Sequence, residues 1–168
     1  MIIWITGAAG SGKSIIMREV LKKININKNI FTLNKSSTLD NYREKRENFI
    51  SLIKENYKKY DHFIFEGLKW SSSRYVILNE FIKLKYDFKI FYLDVPKKII
   101  NQRRKERERP REKKISIEQL DKEFIKSKIH NDLLIKNKYF SKNIKVRNNI
   151  NHNDLNLITK EIYELIKD

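Results

Sequence analysis

The chain contains no cysteine among its 168 residues. Disulfides and thiolate metal sites are therefore excluded, and the fold must stand on its apolar core, which suits a reducing, cytoplasmic setting. Proline is almost as scarce, with two residues, and glycine is limited to four. Acidic residues are in deficit, 21 Asp and Glu against 37 Lys and Arg, which leaves a formal net charge of +16. Long apolar runs are missing as well. The first one, Met1 to Ile5, is too short for a membrane span or a signal peptide and runs straight into a glycine-rich segment.

What is present is enough for one domain over residues 1–168, with 40% hydrophobic residues to fill a single core. The positive charge attracts polyanions at long range, so phosphate-bearing partners are expected and a membrane is not. Short β-type runs at 2–6, 29–33, 62–66, 89–94 and 143–147 alternate with helical runs at 13–23, 39–59, 72–84, 97–107, 116–137 and 154–167. That alternation predicts an α/β three-layer sandwich with a five-stranded, mostly parallel sheet. The last helix shows the clearest period, with Leu155, Ile158, Ile162, Leu165 and Ile166 on one face and Asn153 or Asp154 as its cap.

Three of the four glycines fall in one segment, Gly7-Ala8-Ala9-Gly10-Ser11-Gly12-Lys13-Ser14. It matches GxxxxGK[ST] and lies between an apolar strand and a helical run, the context that a phosphate-binding loop requires. In such a loop backbone N–H groups cradle the phosphates, the helix N-terminus adds its dipole, Lys13 reaches the β- and γ-phosphates and the Ser14 hydroxyl ligates Mg²⁺. ATP and Mg²⁺ are the expected cofactors. The Asn-Lys-x-Asp signature of guanine recognition is absent and the chain is small for a motor domain, which favours a kinase.

Acceptor-side candidates follow the second and third strands. Asp40 can take the proton of an attacking hydroxyl, and Arg43, three residues on and on the same helical face, can hold an acceptor phosphate. Glu66 ends the apolar run 62–65 at the edge where open α/β sheets bind ligands, and it is the alternative base or an organiser of the Mg²⁺ shell. Gly67 lets the chain turn beneath the acceptor; Lys69, Trp70 and Arg74 follow, with Trp70 placed to stack on a base. Further on, an arginine-rich lid over about 103–115 supplies Arg103 and Arg107 to the transferred phosphoryl group and Arg104 to the nucleotide. Arg147, ending the fifth strand, or Asn148 after it is a candidate for contact with the base. His62, His130 and His152 are scattered and suggest no metal site.

The loop, the Asp40-Asn41-Tyr42-Arg43 segment, and Asp94-Val95-Pro96 leading into a helix and the lid together resemble the small P-loop kinase superfamily. Within it the resemblance is to the polynucleotide kinase and nucleoside monophosphate kinase-like group, which includes kinases of phage DNA bases. The resemblance implies a P-loop NTPase fold, Asp40 as base toward a 5′-hydroxyl and Arg43 on the neighbouring phosphate. Glu66-Gly67 is closer to nucleoside and nucleotide kinases. The leading expectation is γ-phosphate transfer to a hydroxyl of a nucleic acid, either a 5′-hydroxyl or a hydroxymethylated base. The alternatives are a nucleoside or nucleoside monophosphate kinase, and a nucleic-acid-binding NTPase that phosphorylates no acceptor.

Overall fold

A computed structural model describes residues 1–24, 30–34, 42–67, 71–106 and 116–167. Five strands, β1 (Ile2–Gly7), β2 (Ile30–Asn34), β3 (His62–Glu66), β4 (Phe88–Leu93) and β5 (Ile144–Arg147), form one sheet in the order β2-β3-β1-β4-β5. Every pairing is parallel. Parallel strands are covered on both faces and so read as continuous apolar runs, which is how β1 is built, with all six of its residues buried.

Alternate residues of β1 feed two separate cores, because successive side chains of a strand point to opposite faces. Ile3 and Ile5 join Ile16, Met17 and Val20 of α1 (Lys13–Lys23) and Ile158 and Ile162 of the last helix, in a core that is almost wholly aliphatic. Ile2 and Trp4 face the other way, onto Phe49 and Ile53 of α2 (Tyr42–Asn56) and Ile77, Leu78 and Phe81 of α3 (Ser71–Lys83). This second core is aromatic: Phe49 packs on Phe65 at 4.5 Å between centroids, and Trp4 on the same ring at 5.3 Å. Two further helices, α4 (Lys97–Glu106) and α5 (Ile117–Lys136), lead from β4 to β5. The three-layer architecture expected from the alternation is present, with the sheet entirely parallel.

Helix ends depart from the sequence periods where side chains bond to backbone. The final helix, α6 (His152–Glu164), starts two residues earlier than its apolar period suggests. Its cap is Asn151, whose side chain accepts from the Asp154 N–H, while Asp154 accepts in return from the backbone N–H groups of Asn151 and Ile150. Asp154 is thus the reciprocal partner in a capping box and not the cap itself. Ser116 similarly caps α5 by accepting from Gln119, which puts it just outside that helix.

Candidate active site

The carboxyl ends of the three central strands converge on the Gly7–Ser14 segment. β1 delivers Gly7, β3 delivers Glu66 beside Ile5, and β4 delivers Leu93 beside Gly7. The segment then turns into α1, whose first hydrogen bonds run from Ile15 and Ile16 to the Gly12 carbonyl. Gly12 sits at the N-cap with φ +94°, where a β-carbon would be strained. The Lys13 ammonium lies back across the loop and donates to the carbonyls of Gly7 at 3.1 Å and Ala8 at 2.9 Å. Ser11 is fully buried, and its hydroxyl finds no hydrogen-bond partner among the described residues, which leaves one donor within the loop itself.

Ser14 and Glu66 meet directly. The serine hydroxyl donates to both carboxylate oxygens, at 2.7 and 2.8 Å, across 52 residues of sequence. Glu66 is 8% exposed and locked by its register between Ile5 and Asn34 of the neighbouring strands. Beyond it, Gly67 turns with φ +99°, and no atom of the described residues lies within 4 Å of where a β-carbon would stand, so the backbone conformation is what favours glycine here. Trp4 fixes this turn from below by donating its indole N–H to the Gly67 carbonyl at 3.1 Å.

The described part of the arginine-rich segment braces the loop. Arg104, only 6% exposed, donates through Nε to the Ala9 carbonyl at 3.1 Å. Arg103 donates through Nη2 to the Ile150 carbonyl at 2.9 Å, beyond β5. Asn149 closes the same side by donating from Nδ2 to the Ser11 carbonyl at 2.8 Å. Asn148 is exposed, and it is its neighbour Asn149, missed in the sequence, that reaches the loop. Two adjacent asparagines after a strand carry no signal to tell them apart; burial alone does so. Arg147 is held by Glu161 at 2.6 and 2.7 Å, and that hydrogen-bonded carboxylate raises the arginine's pKa.

Arg74 takes a different place from the one an acceptor contact would need. It is 1% exposed, on the aromatic side of the sheet, with Nη1 donating to the Asn131 side-chain oxygen at 2.5 Å. Burial draws its pKa down to about 10. With Trp4, Thr6, Tyr92 and Asn131 it walls an interior cavity of about 10 Å³, room for a single water. Asp40, Lys69, Trp70 and Arg107 lie outside the described residues, as does the side chain of Arg43, the second residue of α2.

The donor set suits Mg²⁺ accompanying a nucleotide. Among the described residues no cluster of three His, Cys, Asp or Glu could hold a metal ion on its own. Ser14 and Glu66 offer hard oxygens beside the loop, and Mg²⁺ typically takes one or two such ligands and completes its octahedron with water and phosphate.

No protein-family model matches the chain, and no curated protein matches it. Solved structures do. A deoxyadenosine kinase from M. mycoides with bound dCTP shares 19% identity over 98% of this chain and 100% of that one, with a TM-score of 0.59. The same kinase with dCMP and a flexible dCDP gives 18% identity over 98% and 100%, with a TM-score of 0.61. An uncharacterized protein from Eubacterium ventriosum gives 17% over 100% and 99%, with a TM-score of 0.58. The chain shares the α/β P-loop fold of these structures over 98% of its length.

Proposed function

We infer that the protein is an ATP- and Mg²⁺-dependent kinase that moves the γ-phosphate onto a hydroxyl of a nucleoside. The observation that carries this is the contact of the Ser14 hydroxyl with the Glu66 carboxylate, 2.7 Å apart, one residue beyond Lys13 in the loop. A phosphate-loop serine and a strand-end carboxylate at one point are side chains that a triphosphate with Mg²⁺ and an incoming hydroxyl would both use. Whole-length likeness to deoxyadenosine kinases supports a nucleoside as acceptor.

In this reading the loop amides and Lys13 hold the β- and γ-phosphates, Lys13 exchanging the Gly7 and Ala8 carbonyls for phosphate oxygens. Mg²⁺ would neutralise charge on the triphosphate; Ser14 would be its protein ligand, with Glu66 orienting that hydroxyl. The acceptor oxygen attacks the γ-phosphorus, the bond to the β–γ bridging oxygen breaks, and ADP departs. The acceptor proton passes to a carboxylate, Glu66 or Asp40. Arg103 and Arg107 stabilise the transferred group, Arg43, Gly67, Lys69 and Trp70 flank the acceptor, and Asn148 lies toward the base.

A second reading, transfer to a nucleic-acid hydroxyl, is favoured by the net charge of +16, which suits a polymeric polyanion. One assay decides between them: transfer of label from γ-labelled ATP to free nucleosides, nucleoside monophosphates, 5′-hydroxyl oligonucleotides and hydroxymethyluracil DNA, with Lys13→Ala as control. Label on free nucleosides supports the nucleoside reading, label only on nucleoside monophosphates replaces it with a monophosphate kinase, and label confined to polymers replaces it with the second. Label released only as inorganic phosphate overturns both.

A further inference from the structure

Asn149 belongs to no part of the phosphate-loop motif, yet it is joined to that loop from far along the chain. It is 4% exposed and lies two residues past the end of β5, in the turn before the Asn151 cap of α6. Its Nδ2 donates to the Ser11 carbonyl at 2.8 Å, a bond that spans 138 residues of sequence. Ser11 is completely buried, so its carbonyl has no water to turn to and needs a protein donor. The contact is close as well as polar: a β-carbon on Gly12 would stand 2.3 Å from the same Nδ2. Glycine at position 12 therefore answers two demands, its own φ of +94° and the asparagine amide pressed against its α-carbon.

We propose that Asn149 is a positioning residue of the phosphate loop, holding the Ser11 carbonyl turned away from the bound phosphates so that the neighbouring N–H groups face them. A peptide unit has its carbonyl and N–H on opposite sides. Fixing the Ser11 oxygen against Asn149 therefore fixes the Gly12 N–H on the other side, where an anion is received. Arg103 reinforces the arrangement by binding the carbonyl of Ile150, the next residue, and Arg104 does so from the opposite flank at Ala9. The turn after β5 is thus tied to the triphosphate end of the nucleotide, and not only to the base.

The inference rests on the nucleotide-binding reading above, and binding of two ligands by the full-length chain separates their failures. The ligands are ATP and inorganic tripolyphosphate, each with Mg²⁺, measured by calorimetry below the melting temperature. Asn149→Ala should bind both about tenfold more weakly, the effect of one lost hydrogen bond to a buried carbonyl. Asn149→Asp should lose more, since a carboxylate cannot donate to that carbonyl and sets a negative charge beside the phosphates. In a Gly12→Ala background, where the new methyl already displaces the amide, Asn149→Ala should add little. Loss of ATP affinity with tripolyphosphate unaffected would assign Asn149 to the base and overturn the proposal, as would unchanged affinity for both. Melting without ligand reports the fold, and if Asn149→Ala is unfolded Asn149→Ser, which buries no charge, carries the comparison. Wild-type protein that binds neither ligand, like Lys13→Ala, would instead sink the nucleotide-binding reading.

Discussion

Replacing Arg104 by alanine separates two things an arginine at the edge of a phosphate site can do: touch the nucleotide, or hold up the loop that touches it. The side chain is 94% removed from solvent and its Nε donates to the Ala9 carbonyl, so the second role has a definite cost. A hydrogen bond from a charged donor contributes ~1.5–3 kcal/mol, and truncation also strips the apolar stem of its packing. A total of about 2–3 kcal/mol, at roughly 2–4 °C per kcal/mol for a chain of this size, lowers Tm by about 4–12 °C. The assay is calorimetric or fluorescence-monitored melting in the absence of nucleotide. Arg104→Lys should recover less than half of the loss, because the ammonium keeps the charge but not the planar N–H group at Nε. A Tm within about 1 °C of wild type, together with a tenfold or greater rise in the KM for ATP, would refute the strut and return Arg104 to direct nucleotide contact.

Two further outcomes are expected. Glu66→Gln keeps the shape of the side chain that meets Ser14 but removes its charge, so phosphotransfer should fall by about a hundredfold or more while the fold melts within a few degrees of wild type; turnover within threefold of wild type would exclude a catalytic part for Glu66. Glu161 carries a pKa held below the usual carboxylate range, first by its hydrogen bonds to Arg147 and then by Lys145. A depressed folded pKa is stabilising above the unfolded value and is lost as pH falls through the folded one. Solvent screening keeps this contribution to ~1 kcal/mol. Glu161→Gln should therefore lower Tm slightly at neutral pH, and the difference from wild type should vanish in acid; a difference that persists there would contradict the ion-pair account.

The fold was legible because its signals are local and redundant. Every strand drawn from the apolar runs is present within one residue at each end, and β3 coincides at both ends. Two-sided burial keeps the central strands β1, β3 and β4 largely apolar, while the edge strand β5 carries Lys145 and Arg147, and the glycines punctuate the ends at Gly7 and Gly67. The helix starts were read less well, since a cap is a matter of side-chain geometry: Asn151 lies outside the apolar period of α6, and only its reciprocal bond with Asp154 reveals it. The phosphate loop was legible for the same reason as the strands, being contiguous. Its supports were not. Arg104 to Ala9 and Asn149 to Ser11 join residues 95 and 138 positions apart, and nothing in periodicity distinguishes Asn149 from Asn148 or foretells that Arg74 is buried against Asn131.

Trp4 gives the molecule a built-in optical gauge. It is one of two tryptophans in the chain, 1% exposed, within the strand that becomes the phosphate loop and bonded through its indole N–H to the carbonyl of Gly67, next to Glu66. An indole shut away from water emits at shorter wavelength than a hydrated one, and its intensity responds to the partner of its N–H. In a Trp70→Phe chain, excited at a wavelength the tyrosines do not absorb, the remaining emission comes from Trp4 alone. Any shift of the Glu66–Gly67 turn as ligands arrive would then be recorded from inside the sheet, without a label.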